Sequence, residues 1–242
     1  QALAARYARA GWRLALVARR GDEVATWARA QGLAPELWAV YRADLRDIDS
    51  IVAAGRRCLA EQGLPDVVVA SAGISVGMDS ADGEDLGVMR DTFAVNNTGM
   101  AATFHPFISA MRARRSGTLV GIASVAAIRG LPGHGAYCAS KAAVVAYCES
   151  LRGECRDAGV RVVTLLPGYI DTPLTARNRY AMPFLLQPAE FADRAYRAIA
   201  VGTSYRVIPW QMGLVAKVMR LLPNPLFDSL FAGRGRKRRR GE

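Results

Sequence analysis

Short apolar runs alternate along this chain with longer amphipathic stretches, and the alternation persists to about residue 209. Residues 13–18, 36–43, 66–69, 117–123, 160–166 and 205–208 have the length and apolar content of strands. Helical patterns fill the intervals at 1–8, 22–31, 48–62, 86–111, 136–157 and 188–201. Several runs are apolar throughout, the pattern of strands buried on both faces, and βα units of this length build a parallel sheet. The expected fold is therefore α/β, a Rossmann-type doubly wound parallel sheet with helices on both faces. Neither a linker nor an internal repeat divides residues 1–209, which read as one domain.

The pattern changes after residue 209. Residues 210–222 predict a helix with a broad apolar face, stopped by Pro223 and Pro225, and Leu226, Phe227, Leu230 and Phe231 continue the apolar theme. Residues 210–233 thus form an apolar C-terminal extension, and 234–242 a polybasic tail. The tail holds six cations and Glu242, nearly half of the formal charge of +11, so the basic balance is local. A solvated end and a peripheral contact with an anionic membrane surface are both open readings. Nucleic acid is the weaker one, because no aromatic residue interleaves with these arginines. No run reaches the ~18 apolar residues that span a bilayer, and no secretory signal is visible. Cys58, Cys138, Cys148 and Cys155 lack metal-site spacing and read as reduced thiols of a cytoplasmic protein. His105, placed near a helix start before Pro106, and His134 have no partner pointing to metal.

The chemistry concentrates in Ser124 and Tyr137-Cys138-Ala139-Ser140-Lys141. Tyr137 and Lys141 are one helical turn apart and share a face. A phenol titrates near pH ~10, and a neighbouring cation brings its phenolate within reach at neutral pH. Ser124 lies at the C-terminal end of an apolar strand, the edge where open α/β sheets bind ligands.

With these residues the chain resembles the short-chain dehydrogenase/reductase family, in which a serine followed by Y-x-x-x-K carries the reaction. Further family marks stand in order: Ala70-Ser71-Ala72-Gly73, Val95-Asn96-Asn97-Thr98-Gly99 and Leu166-Pro167-Gly168-Tyr169-Ile170-Asp171-Thr172. The resemblance covers nearly all of residues 1–209. It implies hydride transfer between a nicotinamide cofactor and a carbonyl or alcohol. Tyr137 would be the general acid or base, Lys141 would tune it and hold the nicotinamide ribose, and Ser124 would bind the substrate oxygen. Asn96 would anchor a water. It further implies that Ala72, Gly73, Pro167, Gly168, Ile170 and Thr172 line the cofactor, that Asp44-Leu45 cups the adenine, and that the protein forms a homodimer or homotetramer. The variable substrate loop would be residues 173–187, apolar through Tyr180, Met182, Phe184, Leu185 and Leu186, which favours a hydrophobic ketone or secondary alcohol. Ile128, Leu131, His134 and Tyr169 are further expected pocket walls.

Arg19 and Arg20 end the 13–18 strand where an acid would bind the ribose 2′-hydroxyl of NAD. Guanidinium forks suit a 2′-phosphate, so NADP(H) is expected over NAD(H), with Arg19 the main contact and Arg20 a second. The family's opening strand and glycine-rich pyrophosphate turn have no counterpart here; the chain starts within a helix, at Gln1, without Met. The first strand, central in the family's sheet, is expected to be missing, with weak dinucleotide binding by these residues alone. An incomplete sequence is one explanation and a natural product that has lost its cofactor is the other. A non-catalytic binding or scaffold protein that kept the fold is the alternative to the enzyme, and an epimerase or dehydratase on this fold is a third reading.

Overall fold

The computed structural model describes residues 1–176, 178, 181–232, 237 and 239–241. Its elements follow the predicted alternation. The order is α1 (Ala2–Arg9), β1 (Leu14–Ala18), α2 (Gly21–Ala30), β2 (Trp38–Arg42), α3 (Ile48–Gln62), β3 (Val67–Ala70), α4 (Asp85–Phe93) and α5 (Gly99–Arg114). There follow β4 (Thr118–Ile122), α6 (Gly135–Cys155), β5 (Arg161–Pro167), α7 (Pro188–Ala200), β6 (Tyr205–Ile208), α8 (Trp210–Leu221) and α9 (Asn224–Phe231). All strand pairs are parallel.

The apolar strands separate two cores by period-2 alternation. Leu119, Val162 and Leu166 face α3, α5 and α6, whereas Val120, Val163 and Leu165 face α1 and α7. The Rossmann-type α/β architecture with helices on both faces is thus present. It departs from a continuous sheet at one place: β1 pairs only with β2, and β3, β4, β5 and β6 form a separate ladder. Among the described residues no strand joins β1 to β3. The seam lies where the resemblance puts the family's first strand. Its cost is visible in β1, whose sequence Leu-Ala-Leu-Val-Ala is that of a buried strand and whose Val17 is 39% exposed.

Three local departures have clear causes. The 86–111 helical region is two helices joined by a π-helical turn, Ala94–Thr98, and this turn carries Asn96. Pro106 lies within α5 rather than at its start, packed where Gly55 of α3 leaves room for its ring: a Cβ at Gly55 would lie 2.6 Å from Pro106 Cγ. Pro223 does end α8, but Pro225 sits in the first turn of α9, a position that needs no amide hydrogen.

All four cysteines are buried as free thiols, and no described helix is long and apolar enough to cross a membrane. Cys148 packs directly beneath Gly121 in the middle of β4, so that a methyl group at Gly121 would run into the thiol. Gly121→Ala is expected to destabilise the fold by about 1–3 kcal/mol through overpacking. The double variant Gly121→Ala/Cys148→Ala should recover much of that loss in urea denaturation. Additive losses would show that this contact is not the constraint.

Candidate active site

The loops that follow β3, β4 and β5 converge at one edge of the sheet, and the residues singled out by sequence meet there. Ser124 follows β4 by two residues and caps a 3-10 turn, Val125–Ala127, with Ala126 N donating to Ser124 Oγ at 3.2 Å. Tyr137 stands in the first turn of α6, and its phenol is hydrogen-bonded to the Ser124 side chain. Burial pushes the phenol's pKa up; the Ser124 hydroxyl, which favours the phenolate, opposes this.

Lys141 lies one turn on and is only 5% exposed. Its Nζ donates to the Ile122 carbonyl, the last of β4, at 2.8 Å and stands 5.8 Å from the centre of the Tyr137 ring. Burial brings the ammonium down to about 8. In this geometry the cation is tied to the strand rather than to the phenol, and the opposing effects on Tyr137 are burial and Ser124.

Asn96 and Gly73 complete the cluster. The Asn96 amide accepts from Ile74 N at 2.8 Å and donates to Ile74 O at 3.0 Å and to Ser140 Oγ at 2.9 Å. Ser140 Oγ donates in turn to Tyr137 O at 2.8 Å, and Asn97 Nδ2 to Ser140 O at 2.9 Å. The π-helical turn thereby clamps the loop after β3 to the catalytic-type helix. Both Nδ2 hydrogens and one Oδ1 lone pair of Asn96 are engaged in this way. A Cβ at Gly73 would lie 3.2 Å from Asn96 Oδ1 and 3.3 Å from Lys141 Nζ, so the absence of a side chain keeps this corner open.

Ala72 and Gly73 are exposed at the end of β3, as a ligand edge requires. Pro167 ends β5; Gly168 N donates to Ile208 O at 2.8 Å, and a Cβ on Gly168 would meet Met212 Cγ of α8 at 2.8 Å. Ile170 bridges to Leu186, and Thr172 N donates to Thr175 Oγ1 at 3.1 Å, which ties both ends of the loop after β5 down. Phe184 and Leu185 of that loop are exposed, and Tyr180 lies outside the described residues.

At the far end of the sheet Arg19 Nη1 is 3.8 Å from Asp44 Oδ2, so the expected phosphate and adenine contacts adjoin. Leu45 packs on Gly99, where a Cβ would lie 2.6 Å from the Leu45 carbonyl. Arg20 pairs with Glu23 of α2 at 3.2 Å, both side chains being exposed. Ile128 and Leu131 line a cavity of about 590 Å³ with Cys138, Ala142 and Phe227; Ser124 and Tyr137 are not among its walls. His134 is buried with Nδ1 3.0 Å from Pro132 O, and burial lowers its pKa; burial raises that of Tyr169. Among the described residues no group of three His, Cys, Asp or Glu could hold a metal.

The residues present fit a dinucleotide at both ends: a buried ammonium and an open glycine corner at one, an exposed guanidinium at the other. No glycine-rich turn for the pyrophosphate lies among these residues. Sequence reasoning did not single out Ser140 or Ile74, which hold the cluster together. Ser140 sits between Tyr137 and Lys141 in sequence, and that position was the available signal.

A family model for short chain dehydrogenases matches residues 1–182, and the chain belongs to that family. An uncharacterized oxidoreductase of Myxococcus xanthus (strain DK1622) is 38% identical over 186 residues, 77% of this chain and 73% of that protein. A cis-4-hydroxycyclohexanecarboxylate dehydrogenase of Sinomonas cyclohexanicum is 34% identical over 66% of this chain and 63% of its own length. An alcohol dehydrogenase of the archaeon Thermococcus sibiricus, solved with 5-hydroxy-NADP, superposes with a TM-score of 0.73 at 25% identity, covering 85% of this chain and 89% of that one. A Burkholderia phymatum family member solved with NAD has a TM-score of 0.78 at 22% identity, covering 90% and 87%, and attests the fold. The protein is therefore an oxidoreductase of the short-chain type, acting on CH–OH or C=O groups.

The depressed Lys141 fixes a pH dependence. Between about 8 and the ordinary 10.5 the unfolded chain binds the lysine proton and the folded chain does not, so this group adds stability as pH rises through that window. Below it, burial of the charged ammonium costs at most about 3 kcal/mol. The stability advantage of Lys141→Met over the parent should accordingly shrink between pH 8 and 10.5 in urea titrations, and a constant difference would contradict the assignment.

Proposed function

We propose that this chain transfers a hydride between NADP(H) and a hydrophobic ketone or secondary alcohol. The observation that carries the reading is the meeting of Ser124, Tyr137 and Lys141 at the C-terminal end of β4. When bound, the nicotinamide supplies or accepts the hydride. The chain's own groups handle the proton: Tyr137 Oη donates it to the carbonyl oxygen in reduction and takes it back in oxidation. Ser124 Oγ, already bonded to that phenol, places the substrate oxygen and stabilises the charge developing on it. Lys141 keeps two N–H groups beyond its bond to Ile122 for the ribose hydroxyls, and Gly73 leaves the space beside them. Asn96 and Ser140 hold the loop and helix in register.

The preference for NADP(H) rests on Arg19, an exposed guanidinium at the end of β1 beside Asp44. The solved relatives were obtained with both forms of the cofactor, so the side chain is the stronger support. An apolar substrate is supported by the exposed Phe184 and Leu185 of the loop after β5.

Two measurements on the intact native protein test this. Tyr137→Phe should lower kcat for ketone reduction by roughly 10²–10⁴ while changing NADPH affinity less than about twofold, since only the proton donor is lost. Full activity in this variant refutes the mechanism. Arg19→Ala should weaken NADPH by roughly 10-fold or more with NADH unaffected, the expected loss of a charge-assisted phosphate contact. Equal changes for both cofactors would remove the basis for the preference.

A further inference from the structure

The described part of the basic tail is folded against the domain, which redirects the expectation of a solvated or membrane-bound end. Arg239 Nε is 2.8 Å from Asp85 Oδ2, its Nη2 bonds Asp82, and Arg240 Nη2 is 2.8 Å from Asp91 Oδ2. These arginines hold the Asp82 and Asp91 carboxyls below the ordinary range. Asp85 is only 4% exposed and also accepts from Asp79 N at 2.6 Å. Its pairing with Arg239 thus differs from an ordinary surface contact, because a buried carboxylate left alone is costly.

Lys237 is anchored by this clamp two residues upstream of Arg239. It is half-buried, its Nζ lies 3.5 Å from the Leu174 carbonyl, and its charge reaches His134, whose imidazolium it disfavours. Leu174 belongs to the loop after β5, His134 ends the loop after β4, and Asp82 and Asp85 close the loop after β3. These are the three loops at the ligand-binding edge of the sheet. The tail contacts the loops after β3 and β5, and the Lys237 charge acts on His134 in the loop after β4.

Unlike Arg239 and Arg240, Lys237 has no carboxylate partner among the described residues. A half-desolvated ammonium facing only a distant carbonyl is stabilised by an incoming anion. We propose that Lys237, Arg239 and Arg240, the two arginines clamped on the acids of α4 and the turn before it, form a wall of the substrate cleft, and that Lys237 selects substrates carrying a carboxylate besides the reacting carbonyl or alcohol. This rests on the oxidoreductase reading above and narrows its substrate class.

The test pairs a cyclic keto acid with its methyl ester, using the intact native protein and NADPH. Lys237→Gln should raise KM for the keto acid roughly tenfold, with kcat for both substrates and KM for the ester unchanged. Arg239→Gln, which loosens the clamp, should shift KM for the keto acid in the same direction. Equal shifts for acid and ester, or none, overturn the role of Lys237. If the parent protein turns over neither compound, the ketone reading fails and the selectivity falls with it. The clamp is decided separately by limited trypsin digestion of the tail. Asp82→Asn/Asp91→Asn should speed cleavage after residues 234–240 roughly tenfold, and equal rates would overturn it.

Discussion

A buried ammonium is the constraint on which the catalytic edge depends. Lys141 is almost wholly removed from water, and such a group survives inside a protein only when its protons are matched. Its bond to the Ile122 carbonyl supplies one match and also joins the start of α6 to the end of β4. That junction brings Tyr137 within hydrogen-bonding reach of Ser124. The remaining alignment comes from Ser140, which receives the Asn96 amide from the other side of the cleft. Removing any one of these contacts would leave a buried polar group without its partner, so the cluster is held together by the cost of breaking it.

The sheet presents the opposite case, a place where pairing is unmet. β1 and β3 each end a ladder, yet β1 has the apolar composition of an interior strand. Parallel sheets are covered on both faces, and an apolar strand left at an edge is a liability. The half-exposed Val17 therefore marks where the architecture is open, and it lies between the half of the sheet bearing Arg19 and Asp44 and the half bearing the Ser124 cluster. The two ends of a dinucleotide would rest on different halves. Any strand filling the seam would couple them.

Much of this was legible in the sequence because it follows from local chemistry. Six strands and their intervening helices were readable from runs of apolar residues and from turn residues. Ser124, Tyr137 and Lys141 were readable because strand end and helical spacing bring them together whatever the surroundings. Other features escaped because distant packing decides them. Pro106 reads as a helix boundary until Gly55 of another helix makes room for it. The pairing of Arg20 with Glu23 depends on where α2 begins. Ile128 and Leu131 read as pocket walls from the loop alone, but Arg220 of α8 and Phe227 of α9 also line the cavity beside them. Helix α9 was hidden by Pro225, which breaks a helix interior but suits a first turn.

The sequence by itself determined the family, the α/β class and which residues are the candidates for proton handling, since each rests on short-range order that survives in a one-dimensional record. Only the tertiary structure decided how those residues are held: Lys141 on a strand carbonyl rather than against the phenol, and Asn96 used as a clamp. It also decided where Lys237, Arg239 and Arg240 of the cationic tail lie. Composition can count six cations, but their effect depends on what lies within a few ångströms, and electrostatic energy falls with distance and exposure. Asp82, Asp85 and Asp91 are some 150 residues away along the chain and adjacent only in the folded molecule.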